Sequence, residues 1–265
     1  MSFERKIPLE GVENARDLGG LPTKDGRQVR PHMLLRTANL FEATDHDWKL
    51  LQDTYHLKTI LDFRSEHEVA NKPFQEREGL QRHWINVMPD MAGASPVVHV
   101  NDSPEAILRF LQSLNHFDTY DMYVAILSSI KGQMGYTAFF NYLLENDGQH
   151  AVLWHCNAGK DRTGIAAMFI LSVLGVEEDI LMQDYLDTNM YRKEKIDKVL
   201  KELSRLTDDQ RIMDRAVGMY GVQKDLLQNC MNYCKQQSGS IIRYTKEYLG
   251  LTDTKIEMLK HLYLL

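Results

Sequence analysis

The chain has 265 residues, 43% of them hydrophobic and 26% charged, the balance of an ordinary globular protein with enough apolar side chain for a sizeable core. Its 31 Lys and Arg against 37 Asp and Glu give a net charge of −6, which argues against a surface built throughout to grip nucleic acid or an anionic membrane, while leaving room for a local basic pocket. Three cysteines, Cys156, Cys230 and Cys234, are too few to staple a chain of this length with disulfides, so a cysteine that matters here acts as a thiol.

The opening segment MSFERKIPLEG holds no apolar run that could form the core of a signal peptide. The longest mostly apolar stretch, Ile165 to Val176, spans 12 residues and is too short to cross a bilayer. The expectation is a cytoplasmic protein, or one secreted without a signal peptide, with no transmembrane segment. No repeat, low-complexity tract or long linker interrupts the chain, so one domain covering residues 1–265 is expected.

In chain order, the first ninety residues alternate short apolar runs with turn signals, as strands feeding helices do. Strands are predicted at Met33 to Arg36, Thr59 to Leu61 and His83 to Val87. Ser65 with Glu68 three residues later has the spacing of a capping box, which starts a helix there and places Asp62 at the carboxyl end of a strand. Ile107, Leu108, Phe110, Leu111 and Leu114 fall at helical spacing, followed by apolar helices from Tyr120 to Ile130 and from Tyr136 to Leu144. Asn146-Asp-Gly-Gln breaks the pattern, and Ala151 to Trp154 reads as a short buried strand. Beyond Glu177 the chain is helix-forming, with one face of Lys193 to Leu203 strongly charged and Gly239 and Gly250 as stops. The fold class is therefore α/β, a mainly parallel central sheet flanked by helices, with a helical C-terminal layer.

Residues 155–164, His-Cys-Asn-Ala-Gly-Lys-Asp-Arg-Thr-Gly, lie between the last predicted strand and the apolar helix after it. A strand-to-helix loop can turn successive backbone N–H groups inward, and the helix N-terminus adds partial positive charge, so the segment suits an oxyanion such as phosphate. A thiol in such a cradle is favoured as the thiolate, the nucleophilic form, which singles out Cys156. Arg162 supplies a planar fork for two phosphoryl oxygens. Asn157, Ala158, Gly159, Lys160, Asp161, Arg162 and Thr163 are the candidate phosphate-binding residues, with Lys160 as a second cation at the pocket mouth and the Thr163 hydroxyl donating to the Cys156 sulfur. His155 is expected to orient the loop from behind. A Walker phosphate loop is excluded, because Gly159-Lys160 is followed by Asp161 and Trp154 stands where that pattern needs glycine. Cys230 and Cys234, one helical turn apart with no partner pair at zinc-ligand spacing, read as packing residues. Neither metal nor cofactor is expected.

HCNAGKDRTG resembles the signature loop of the cysteine-dependent protein tyrosine phosphatase superfamily, and its ending resembles the bacterial atypical group that acts on phosphotyrosine and phosphoinositides. Asn14-Ala-Arg-Asp-Leu-Gly-Gly20, Leu35-Arg-Thr-Ala-Asn-Leu40, Asp62-Phe-Arg-Ser-Glu-His-Glu68 and Asp184-Tyr-Leu-Asp-Thr-Asn189 resemble that group's markers in the same order, so the resemblance covers essentially the whole chain. It implies hydrolysis of phosphate monoesters through a phosphocysteine intermediate, with phosphotyrosine leading and phosphoinositides and phosphoserine or phosphothreonine as further substrates. Phosphate or vanadate would occupy the site, and helices at about residues 103–130 would cover it as a lid, guarding the thiolate or facing lipid, unless they simply complete the core. The Trp-Pro-Asp loop that supplies the acid in better-known members is absent. Asp161 is the preferred proton donor, Asp90 in Met88-Pro-Asp90 the second candidate, and Asp62 the third, its simpler use being an ion pair with Arg64. The competing readings are a catalytically inactive phospho-ligand-binding module and a rhodanese-like sulfurtransferase.

Overall fold

The structure, a computed structural model, describes residues 4–89, 103–113 and 119–265. Five strands, β1 (Arg16–Asp17), β2 (Leu34–Thr37), β3 (Leu57–Asp62), β4 (Gln81–Trp84) and β5 (Ala151–His155), form one sheet in the order β1-β2-β5-β3-β4. Only the β1–β2 pair is antiparallel. The α/β class with a mostly parallel sheet is thus the fold that the sequence predicts. All five residues of β5 are buried, as in a central strand covered on both faces. Its carboxyl end therefore sits at the middle of the sheet edge, where ligand sites form in such folds.

On one side of the sheet lies α1 (Asp45–Lys49), continued by a π-helical turn over Leu50–Thr54. Trp48, Leu51, Leu35, Ile60 and Leu153 join in the core there. The short helix α2 (Glu66–Asn71) follows β3, with Ser65 as its N-cap and both hydrogen bonds of the capping box formed. On the opposite side α5 (Ile130–Leu144) and α6 (Asp161–Leu174) pack on Trp154, with Phe139, Phe140, Tyr136 and Phe169 making edge-on aromatic contacts. Every residue of α6 from Thr163 to Leu174 is buried, which explains its mostly apolar sequence.

The C-terminal layer consists of α7 (Glu178–Leu186), α8 (Thr188–Tyr191), α9 (Lys193–Leu203), α10 (Gln210–Tyr220), α11 (Lys224–Ser238), α12 (Ile241–Leu249) and α13 (Asp253–Tyr263). Cys230 and Cys234 on α11 are buried free thiols in the core, and burial pushes the Cys234 thiol up to about 12 and the Cys230 thiol well above its ordinary range. They are packing residues. Among the described residues no helix is long and apolar enough to cross a membrane.

Two expectations shift. The last predicted strand of the N-terminal half, His83 to Val87, forms instead over Gln81–Trp84. β4 pairs only with β3, and Asp62, opposite Trp84, is the last residue of β3, so the chain beyond has no ladder to join. The helices expected as a lid, α3 (Pro104–Ser113) and α4 (Thr119–Ser128), bury part of their described apolar side chains inside the protein. Ile107 and Leu111 of α3 form a small core with Val199, Leu203, Ile212 and Tyr220, and Tyr123, Ile126 and Leu127 of α4 join the main one. These side chains complete cores and are not available to face lipid. Leu114 lies outside the described residues.

Gly175, Gly239 and Gly250 end α6, α11 and α12 in the left-handed conformation. Gly175 has φ +86 with nothing within 4 Å of an added Cβ, so only backbone strain opposes a side chain there. Gly175→Ala is expected to cost about 1–2 kcal/mol of stability with activity unchanged, measured by urea denaturation.

Candidate active site

The loop from Cys156 to Lys160 leaves the carboxyl end of β5 and enters α6 at Asp161. Cys156 is 1% exposed, at the floor of the turn. Gly159 has φ +67, and a Cβ there would meet the Thr37 carbonyl oxygen at 2.3 Å, so no other residue fits without moving β2.

The carbonyl side of this loop is held from outside. Asn14 Nδ2 donates to the carbonyls of Ala158 (3.0 Å) and Gly159 (2.9 Å), and Arg36 Nη2 donates to Gly159 (3.0 Å). Asn39 donates through both its backbone N–H and its side-chain amide to the Asn157 carbonyl. Peptide groups fixed with their oxygens outward turn their N–H groups the other way, and among the described residues the amides of Asn157 to Arg162 have no protein acceptor. The result is an anion cradle at a helix N-terminus.

The supporting groups are themselves tied together by Asp184 on α7. Its carboxylate accepts from Arg16 Nε (3.0 Å), Arg36 Nη1 (2.6 Å) and Arg5, while Arg16 also holds Asn14 Oδ1 (2.5 Å). Burial would raise the Asp184 carboxyl, but Arg16, Arg36 and Arg5 hold it well below the usual carboxylate range. Burial also pulls Arg36 down to about 10, with Arg16 adding to the shift and Asp184 opposing it. The sequence marked Asn14, Arg36, Asn39 and Asp184 as parts of family-like segments without a role. Their shared task of holding the loop carbonyls is visible only in three dimensions.

Arg162 lies in the first turn of α6. Its Nη1 and Nη2 donate to Glu68 Oε2 (2.6 Å) and Oε1 (2.7 Å), and Nη1 also reaches the Phe63 carbonyl (3.2 Å). Glu68 is the capping-box residue of α2, and its Oε2 accepts from the Ser65 N–H at the same time (2.8 Å). Burial would raise the Glu68 carboxyl, but Arg162 and the Ser65 bonds hold it down to about 2. Sequence reasoning assigned Glu68 only to the helix start, since nothing along the chain links it to an arginine 94 residues away.

Asp161 Oδ1 accepts from the Tyr123 hydroxyl of α4 at 2.5 Å, and Tyr123 and Tyr185 share a second hydroxyl contact at 2.9 Å. Lys160 departs from expectation. Its ammonium is not at a pocket mouth but donates to the carbonyls of Met219 (2.7 Å) and Gly221 (2.9 Å) at the end of α10, with Asp161 Oδ1 3.7 Å away. Thr163 also departs: its hydroxyl oxygen is buried without a partner among the described residues, and the expected bond to the Cys156 sulfur is not made.

His155 is fully buried, and its Nδ1 lies 3.0 Å from the Cys156 carbonyl, which requires the proton on Nδ1. Burial lowers its pKa, against the pull of Asp62. Asp62 closes β3 as expected and is paired with Arg64 (2.8 Å) and Arg82 (2.7 Å). Burial would raise its carboxyl, but His155, Arg64 and Arg82 hold it far below the usual range, the ion-pair use expected of it. Asp90 lies outside the described residues.

Glu68 has its side chain only 10% exposed and a lowered folded-state pKa, so its contribution to stability is present above about pH 4.5 and is lost as pH falls toward 2. Glu68→Gln is therefore expected to be less stable than the parent by on the order of 2–3 kcal/mol near pH 7, and the gap is expected to close between pH 5 and 2 in urea titrations. A gap independent of pH would show that the pair does not titrate with folding. Gly159→Ala is expected to lose far more function than Gly175→Ala, because its Cβ would push on β2 as well as strain the turn.

The sequence profile of the tyrosine phosphatase family matches residues 7–265. A candidate tyrosine-protein phosphatase of Cupriavidus necator is 32% identical over 186 residues, 69% of this chain and 63% of that protein. The triple specificity protein phosphatase PtpB of Mycobacterium tuberculosis is 27% identical over 198 residues, 68% of each chain, and a tyrosine-protein phosphatase of Nostoc commune is 32% identical over 155 residues, 57% of this chain and 46% of that protein. The matched region thus spans about two thirds or less of each relative. With the profile running through the loop, its carbonyl-holding segments and the C-terminal helices, the chain belongs to the tyrosine phosphatase family.

Proposed function

We propose that the protein hydrolyses phosphate monoesters, phosphotyrosine first, by way of a phosphocysteine. The observation that carries this reading is the cradle of outward carbonyls and inward amides, with Cys156 at its floor and Arg162 clamped beside it by Glu68. In the first step the Cys156 thiolate attacks phosphorus and the ester P–O bond breaks. The loop amides and Arg162 stabilise the equatorial oxygens through the transition state. Asp161 gives its proton to the leaving oxygen, then takes one from the water that attacks the phosphocysteine, returning the thiolate and releasing phosphate. The Tyr123 hydroxyl bond at 2.5 Å fixes the orientation of that carboxylate, which makes Tyr123 a positioning residue.

The relative named for triple specificity supports testing substrates beyond phosphotyrosine. Lys160 no longer argues for phosphoinositides, because its ammonium is occupied at α10. Phosphoserine and phosphothreonine peptides and phosphoinositides belong in the same panel as phosphotyrosine.

Turnover of an aryl phosphate in EDTA, blocked by vanadate and abolished by Cys156→Ser, is the expected result. Thiosulfate-to-cyanide transfer would point to a sulfurtransferase, and binding of phosphopeptide without turnover to an inactive module. Asp161→Asn is expected to lower kcat about 10²-fold or more on phosphotyrosine peptides, and less on aryl esters with good leaving groups, because only the former need the proton. Full turnover of Asp161→Asn with an unchanged pH profile would assign the acid elsewhere.

A further inference from the structure

Among the described residues four arginines are buried: Arg16, Arg36, Arg64 and Arg192. The first three each have a carboxylate bonded to the guanidinium, although the Arg36 Nε is itself buried without a partner. Arg16 and Arg36 bond to Asp184, and Arg64 bonds to Asp62 and the Lys72 carbonyl. Arg192, only 4% exposed, differs from them. Its Nε is buried with no hydrogen-bond partner, Glu13 Oε2 comes no nearer to it than 3.5 Å, and its guanidinium makes no hydrogen bond among the described residues. A buried cation left in this way is costly unless something else satisfies it.

The space beside it is of ligand size. A cavity of about 640 Å³ separates the N-terminal segment from the start of α9, within the range of small-molecule sites. Arg192, Lys195 and Glu194 line one wall and Lys6, Glu13 and Asn14 the other, with Glu4 and Glu10 also on the lining, so carboxylates stand among the cations. Lys195 is half-buried on the same side, and burial lowers its pKa, partly opposed by Glu13 and reinforced by Lys198 and Arg192. Two cations one helical turn apart therefore face the cavity at the start of a helix of 11 residues. Glu13, its side chain 47% exposed, makes a long ion pair with Arg192 at 3.5 Å, the position of a carboxylate that an incoming oxyanion could displace. Asn14 links the cavity to the loop, because the same side chain holds the Ala158 and Gly159 carbonyls.

We propose that Arg192 and Lys195 form a second oxyanion site, separate from the Cys156 loop, that takes a phosphate or carboxylate group in competition with Glu13. The group would be carried by the substrate peptide next to its phosphotyrosine or by a free anion. The site itself does not depend on the proposed reaction, and only the peptide arm of the test rests on that reading.

Inorganic phosphate is titrated into the full-length protein with and without saturating vanadate, which takes the loop. The parent is expected to keep one phosphate site in vanadate. Arg192→Met is expected to lose it, Lys195→Met to weaken it about tenfold, and Glu13→Gln to tighten it severalfold. Absence of vanadate-resistant binding in both the parent and Glu13→Gln overturns the proposal. So does vanadate-resistant binding that Lys195→Met and Arg192→Met leave unchanged. If Arg192→Met fails to fold, the Lys195 and Glu13 variants decide. In the peptide arm, phosphotyrosine peptides with glutamate or neutral flanks are compared. A loss of kcat/KM in Lys195→Met for the acidic peptide alone, with aryl phosphate turnover kept, makes the substrate the source. Equal turnover of both peptides, with phosphate binding intact, makes it a free anion.

Discussion

The site depends on one constraint: the peptide groups from Asn157 to Gly159 must present their oxygens away from Cys156. A carbonyl turned into protein without a donor costs about 1–3 kcal/mol, so the inward amides exist only because the outward oxygens are satisfied. Asn14, Arg36 and Asn39 do this from three separate places along the chain. Using an arginine for the task puts a charge inside the protein, and Asp184 compensates it while gathering Arg16 and Arg5 at the same point. Buried ion clusters are weak evidence of stability, since taking charges out of water costs nearly what their attraction returns. Here the cluster serves position: it fixes Asn14 and Arg36, and these fix the loop.

The helix that begins in the loop is anchored by the same economy of groups. Glu68 caps α2 and clamps Arg162 with one carboxylate, so the start of a short surface helix and the orientation of that arginine share a single side chain. Tyr123 brings α4 to Asp161, and Lys160 brings the end of α10 to the loop apex. Helix α4 and the C-terminal layer are thereby joined to two consecutive residues, Asp161 and Lys160, and α2 to the next, Arg162.

What was legible in the sequence is what short-range physics decides. The buried run Ala151 to Trp154, the capping box at Ser65 and Glu68, and the stops at Gly239 and Gly250 depend on neighbours within a few residues, and each forms as read. What was not legible is where long side chains turn. Lys160 points to α10 because the last carbonyls of a helix lack internal donors, and those of Gly218 to Gly221 need a cation more than the open cradle does. The pairing of Glu68 with Arg162 joins two strand-following loops that the sheet brings side by side, a fact of topology with no signal in spacing. β4 stops early for a similar reason, since its length is set by where β3 ends.

The clamp on Arg162 also explains why arginine, and not lysine, fits this position. A guanidinium has an end edge, formed by Nη1 and Nη2, and a side edge, formed by Nε and Nη2. Glu68 takes the end edge with two short bonds. Under the proposed reaction the side edge is then presented to the transferred phosphoryl group, already oriented and with its rotamer entropy spent during folding. An ammonium has no second edge, so a lysine held by Glu68 would have its charge neutralised where the substrate needs it. The protein's net charge of −6 is thus compatible with a site for a dianion. Apart from Arg192, the buried cations are matched to Asp184, Asp62, Glu68 and the carbonyls of α10, and under the proposed reaction the field that the substrate meets comes from the loop amides and from the unclamped side of Arg162.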